Sequence, residues 1–260
     1  MDIIVCLKMV PDTAETEVRV DSTGKDILKV RLVNTTNEAD NYALETALLL
    51  KEKHGGTVTL ISLGPQNVNE VLKMGLAKGA DRAIRLTDSL FDAGDAWTRI
   101  YALYQAISKN KFDLVLTGCI ASDDGYSQVG PSLAALLDIP SAAYVIKVEM
   151  LNNIKVKIDR ELEGGILERK EIVLPAGLTI QTGINTPRYP SIIGIKRASS
   201  KPLDVFDAAK LGIDSKILES LTELKQMYMP KVESKAQFIS GSDDEISAKL
   251  ATLIKEKVGL

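Results

Sequence analysis

The chain has 260 residues, 45% of them hydrophobic, 26% charged and only 5% aromatic, with a formal net charge of −3. That length can bury a full core, while slight acidity and few aromatic rings exclude nucleic acid as the main partner, which needs a clustered basic surface and stacking side chains. No apolar run reaches the roughly 18 residues that a membrane helix requires, so membrane insertion is excluded as well.

Short β-rich runs alternate with helical patterns, and the expected fold is α/β: a doubly wound, mainly parallel sheet with helices on both faces. The first strand is residues 3–7, and the opening Met1-Asp2-Ile3-Ile4-Val5 has no basic leader, so a cytoplasmic chain is expected. Residues 18–20 and 27–30, joined through Ser22-Thr23-Gly24, read as an excursion hairpin. Asn37 then caps a helix to about residue 53, with Asp40 three positions on and an apolar stripe of Ala39, Ala43, Leu44, Ala47 and Leu48. His54, the one histidine, follows at the helix end before two glycines, where a cation suits the dipole. With that helix-end role for the one histidine, His-based triads and histidine metal sites are excluded within the chain, and reactive chemistry falls to a bound cofactor.

Residues 57–63 form the second strand, 67–78 a helix and 82–86 the third strand. A helix over 93–108 carries Trp97, Ile100, Tyr101, Tyr104 and Ile107 on one side, a core stripe. The strand 113–116 runs into a small-residue loop and a helix over 132–137 with Pro131 in its first turn. A strand at 142–148, a hairpin of 155–160 with 166–173 and a strand at 178–181 complete the sheet. Past Pro202 the pattern breaks into short pieces, ending in an amphipathic helix over 245–258 capped by Ser240-Gly241-Ser242-Asp243-Asp244. That tail has no core of its own and either reaches to a partner or packs back. Cys6 and Cys119 are two cysteines at strand ends, too few for a disulfide framework, and fit a reducing compartment.

In a doubly wound sheet, ligands lie beyond the carboxyl ends of the strands. Four segments reach that edge: Cys6-Leu7-Lys8; the helix start Asn37-Glu38-Ala39-Asp40; Leu63-Gly64-Pro65; and the loop Gly118, Cys119, Ile120, Ala121, Ser122, Asp123, Asp124, Gly125, Tyr126, Ser127, Gln128, Val129. Together they would enclose one adenine nucleotide, its phosphate at the helix start after the loop. The loop is neither a Walker sequence nor G-x-G-x-x-G. Asp123-Asp124 could ligate Mg²⁺, yet an acidic pair in a turn more commonly bonds its own backbone, and no metal is expected. A second segment, Asn185 to Arg197, brackets Arg188-Tyr189 with prolines and follows with Ile192, Ile193, Ile195 and Lys196. It is either a buried connection or, as the prolines and basic end favour, a surface loop with an apolar docking tip.

An ordered set of short motifs resembles the β subunit of electron transfer flavoprotein over nearly the whole chain. They are Cys6-Leu7-Lys8-Met9-Val10-Pro11-Asp12-Thr13, Gly64-Pro65 with Met74 to Ala83, Gln128-Val129-Gly130-Pro131, Asp159-Arg160-Glu161 with Gly164-Gly165, and Pro187-Arg188-Tyr189. The resemblance implies electron carriage without independent catalytic residues. It further implies an α-subunit partner, an FAD in the heterodimer, and flavin dehydrogenases of the acyl-CoA type as docking partners. It places the β nucleotide site on Cys6, Asn37 to Asp40, Leu63 and Gly118 to Val129, and the docking residues at Arg188, Tyr189, Ile192, Ile193 and Lys196. It divides the chain into a nucleotide-binding domain, 1–201, with a recognition loop at 185–197, and a C-terminal arm, 202–260, packing on the α subunit. Gly125 and Val129 stand where AMP-binding members usually carry Asp and Thr. The loop is closer to electron-bifurcating members, which hold a second FAD and take hydride from NADH. AMP in a non-bifurcating carrier is the alternative, and a non-redox AMP-binding module a further one. An adenine-nucleotide hydrolase or ligase on a related sheet would need a Walker lysine or a histidine base, and the chain offers neither outside His54.

Overall fold

The computed structural model describes residues 1–231 and 236–259. Eleven strands and eight helices follow one another among these residues. They are β1 (Asp2–Cys6), β2 (Met9–Pro11), β3 (Asn34–Thr36), α1 (Glu38–His54), β4 (Thr57–Leu63), α2 (Asn69–Lys78), β5 (Arg82–Leu86), α3 (Ser89–Ala93), α4 (Ala96–Ser108), β6 (Leu114–Gly118) and α5 (Val129–Leu136). Then come β7 (Ser141–Asn152), β8 (Lys155–Leu162), β9 (Ile166–Val173), β10 (Ala176–Ile180), α6 (Ile192–Ala198), β11 (Leu203–Phe206), α7 (Ala208–Leu211) and α8 (Asp243–Val258).

Nine of the described strands make one sheet in the order β11-β5-β4-β1-β6-β10-β7-β8-β9. All run parallel except β8, which pairs antiparallel with β7 and β9. The inner strands are apolar on both faces because helices cover both. In β1, Ile3 and Val5 join α1 and α2 in one cluster with Leu44, Leu48, Leu72 and Leu76. Ile4 and Cys6 face the other cluster, with Phe91, Ile100, Ile107 and Leu133 from α3, α4 and α5. Each fully buried Leu or Ile contributes about 2 kcal/mol relative to exposure. From β1 the chain winds outward through β4, β5 and β11 on one side, while β6, β10 and β7 lie on the other. The winding direction therefore reverses between β1 and β6, which opens a crevice beyond their carboxyl ends.

Several elements differ from expectation for local reasons. The excursion hairpin reduces to a single bridge, Val20 to Ile27, and the regular pairing there is β2 with β3. Asp21 Oδ1 takes the N–H groups of Thr23 and Gly24, and Asp26 Oδ1 takes that of Ile27, which withdraws donors from a ladder. The helix expected over 93–108 starts three residues later, at Ala96, because Asp95 caps it through Thr98 N–H, and a short α3 capped by Asp88 through Leu90 N–H precedes it. On α4, Ile100 and Ile107 are buried while Trp97, Tyr101 and Tyr104 are half-buried. The docking segment read as a loop contains α6, whose N-cap Ser191 accepts from Gly194 N–H. His54 ends α1 exposed, ahead of Gly55 at φ 71°. The tail crosses α4, where Asp95 Oδ2 accepts from Leu221 and Thr222 N–H and Trp97 Nε1 donates to Ile217 O. It ends in α8, which has no buried residue. No helix among the described residues is long and apolar enough to cross a membrane.

Candidate nucleotide site and docking loop

Asn37 and Asp40 stand where a capping pair is expected, but neither side chain caps α1. Both turn instead to neighbouring strand ends. Asp40 Oδ2 accepts from Lys8 N–H at 2.7 Å, just past β1, and Oδ1 accepts from Gly118 N–H at 2.9 Å, at the end of β6. Asn37 Nδ2 donates to Ile120 O at 2.8 Å and its Oδ1 accepts from Ser122 N–H at 3.2 Å. Two buried side chains thus bind β1, α1 and the 118–129 loop into one unit. A Cβ on Gly118 would collide with Asp40 Oδ1 and Ala39 Cβ, so only glycine permits this approach. Burial raises the Asp40 carboxyl from 3.8 to about 6, against the pull of the N–H donors and Lys8.

Lys8, in the segment after the first strand, donates from Nζ to Asp123 Oδ1 at 2.6 Å and Asp124 Oδ2 at 2.7 Å. The acidic pair is therefore engaged by an ammonium group across the mouth of the loop. Cys119 N–H reaches Ile180 O at 3.0 Å, and its Sγ donates to Gln181 Oε1, a residue that sequence reasoning placed only in a strand. The Cys6 thiol is buried and pushed up to about 12 by desolvation and the nearby Asp40, so it packs as a thiol. Leu63 lies at the end of β4, packed on the second core cluster without a hydrogen bond to the loop. Ala121 and Ser127 are half-buried, whereas Glu38, Ile120, Ser122, Asp123, Asp124, Gly125, Tyr126 and Gln128 are exposed. Gly125 at φ 66° and Ser127 at φ 54° turn the loop toward α5. That helix has no side-chain cap, so the first-turn N–H groups of Val129 and Gly130 have no intrahelical acceptor.

The second expected site lies along the flank of α1. Tyr189 is 94% and Ile192 87% exposed, with Ile193 and Lys196 also on the surface. Arg188 is not: its guanidinium turns inward to Glu45 and Glu52. Its hydrogen bonds to Glu52 and Glu45 hold it even more firmly protonated than an ordinary arginine, against the opposing effect of desolvation.

Residues 27–211 match the electron transfer flavoprotein domain. The chain is 38% identical to the electron transfer flavoprotein subunit beta of Methylophilus methylotrophus, covering 100% of both chains. It is 33% identical to the Bacillus subtilis subunit of that name, over 99% of this chain and 98% of the relative. The caffeyl-CoA reductase-Etf complex subunit CarD of Acetobacterium woodii is 34% identical over 99% of each. This chain belongs to the electron transfer flavoprotein β-subunit family. Membership assigns it to electron transfer, as a flavoprotein component that pairs with an α subunit. The domain match ends at residue 211, the last of α7, whereas the alignment to the Methylophilus subunit runs on through the tail.

Proposed function

We propose that the crevice between β1 and β6 holds a second FAD, and that the heterodimer takes hydride from NADH and bifurcates the electrons. The observation that carries a dinucleotide or nucleotide there is the cradle itself. Free first-turn N–H groups of α5 stand beside a loop fixed by Asn37 and Asp40, and that geometry suits a phosphate. The close packing at Gly130, where a Cβ would strike Thr179 and Thr117, sets α5 tight against the sheet beside the cradle. Gly125 has open space around its Cα, and Val129 brings no hydroxyl to a monophosphate; both features favour the flavin over AMP. When bound, FAD supplies the reversible storage of electrons. The chain's own residues hold the phosphates, exclude water from the strand ends and fix the loop.

Tyr189, Ile192, Ile193 and Lys196 form the docking tip for a flavin dehydrogenase of the acyl-CoA type, a class to which the name of the caffeyl-CoA reductase complex lends support. Residues 1–201 act as the nucleotide-binding domain, with the recognition loop at 185–197. Residues 202–260 act as an arm that first completes the sheet with β11 and then packs on the α subunit, and the exposed stripe of Leu250, Leu253, Ile254 and Val258 on α8 supports this role. Two unpaired, buried cysteines suit a reducing compartment, and we place the protein in the cytoplasm.

Co-expression with the α chain, followed by extraction and an absorbance spectrum with and without NADH, tests the reading. Two flavins per heterodimer, bleached by NADH, are expected. One flavin plus one AMP would overturn the second FAD while leaving an electron carrier.

A further inference from the structure

The segment from Asn185 to Lys201 is fastened at both ends and bare in the middle. At its start Asn185 Nδ2 donates to Tyr42 O at 3.1 Å and Thr46 Oγ1 at 2.9 Å, both on α1. Arg188 follows, with its backbone N–H on Glu45 Oε2 at 3.1 Å, Nε on the same oxygen at 2.9 Å and Nη2 on Oε1 at 2.8 Å. Its Nη1 and Nη2 also reach Glu52, two turns along the same helix face. At the far end Lys201 Nζ donates to Leu76 O and Ala80 O beside the end of α2. There α6 lies so near α2 that a Cβ on Gly194 would strike Ala77 O. Between these fastenings Tyr189 and Ile192 stand free in solvent.

Glu45 occupies the packed side of α1, its side chain only 5% exposed. One cation would satisfy it. The guanidinium does more, because its planar fork engages a second carboxylate, that of the half-exposed Glu52, and so has one permitted orientation. Its backbone N–H on Glu45 fixes the main chain at the residue directly before the apolar tip. We infer that Arg188, clamped by Glu45 and Glu52, is a positioning residue that aims the Tyr189–Ile192 tip at an incoming dehydrogenase, and is not itself a contact. A tip already held in its bound direction loses less freedom on association. The inference rests on the docking reading given above.

The test uses the heterodimer, with an acyl-CoA dehydrogenase reduced by its acyl-CoA substrate as electron donor, and records transfer rate against dehydrogenase concentration. Arg188→Lys keeps the charge and loses the fork. It should raise KM for the dehydrogenase roughly tenfold with kcat and flavin content unchanged. In an Ile192→Ala background the same change should add little, since both act through one tip. Glu52→Gln, at the exposed end of the clamp, should raise KM in the same direction by about threefold, and decides the matter if Arg188→Lys does not fold. An unchanged KM in Arg188→Lys, or an effect fully additive with Ile192→Ala, overturns the inference while leaving the docking reading. A wild-type KM in Ile192→Ala alone removes the docking reading, and the inference with it.

Discussion

At the N-terminal end of α1 the 118–129 loop hangs on Asn37 and Asp40, whereas along the flank of the same helix the 185–198 segment hangs on Glu45 and Glu52. The first attachment uses side-chain atoms to grip backbone amides and a carbonyl, and leaves other amides at the start of α5 free for a ligand. The second uses charge to grip a guanidinium and leaves apolar side chains bare. A loop that must receive a phosphate is built around its N–H groups; a loop that must meet a protein is built around its side chains. One helix thereby serves as a common footing for both surfaces.

The comparison breaks most readily at Asp40. In Asp40→Asn the amide NH₂ faces one of the two buried donors, Lys8 N–H or Gly118 N–H, and leaves it unpaired, a loss of about 1–3 kcal/mol. Nucleotide retention and thermal stability should fall, with KM for a dehydrogenase unchanged; extraction, a melt and a transfer assay check the three. The pH profile sharpens this. Because the folded carboxyl titrates at about 6 against an unperturbed 3.8, the folded chain takes up its proton first as pH falls. This group's contribution to stability therefore rises between pH 6 and 3.8, and the melting temperature of wild type should gain on that of Asp40→Asn across that window. A constant difference would contradict the assignment.

A smaller effect belongs to the other loop. Ser191→Ala removes the cap of α6 and should cost about 1 kcal/mol, with KM for a dehydrogenase raised and nucleotide content intact. If nucleotide is lost as well, the two attachments are not independent. The smallest belongs to Lys8, whose ion pairs with Asp123 and Asp124 are all about one-third exposed. Lys8→Ala should cost no more than about 1 kcal/mol, and the difference from wild type should vanish in high salt. A loss as large as that of Asp40→Asn would mean that the nucleotide loop, too, is held by charge.

The parallel strands were legible because strands covered on both faces read as unbroken apolar runs, as in Ile3-Ile4-Val5-Cys6-Leu7. The strand-end segments were legible because the winding rule places ligands there. The roles of Asn37 and Asp40 within that site were misread, since the local spacing fits a capping pair and only the neighbouring strands supply the competing donors. Arg188 was expected on the surface because Glu45 and Glu52 lie more than a hundred residues away in sequence, and no local pattern encodes such a pairing. The start of α6 at Ser191 was hidden by the two prolines before it, which mark a turn but not the helix that follows.

The buried thiols carry a practical consequence. Desolvation raises both Cys6 and Cys119, so at neutral pH each is protonated and shielded from reagents. The natural surface is thus silent toward maleimides. A single cysteine placed at exposed Ser200, just past α6 and outside the docking tip, would take a fluorophore or spin label alone, and the arrival of a dehydrogenase could be watched with the tip unaltered.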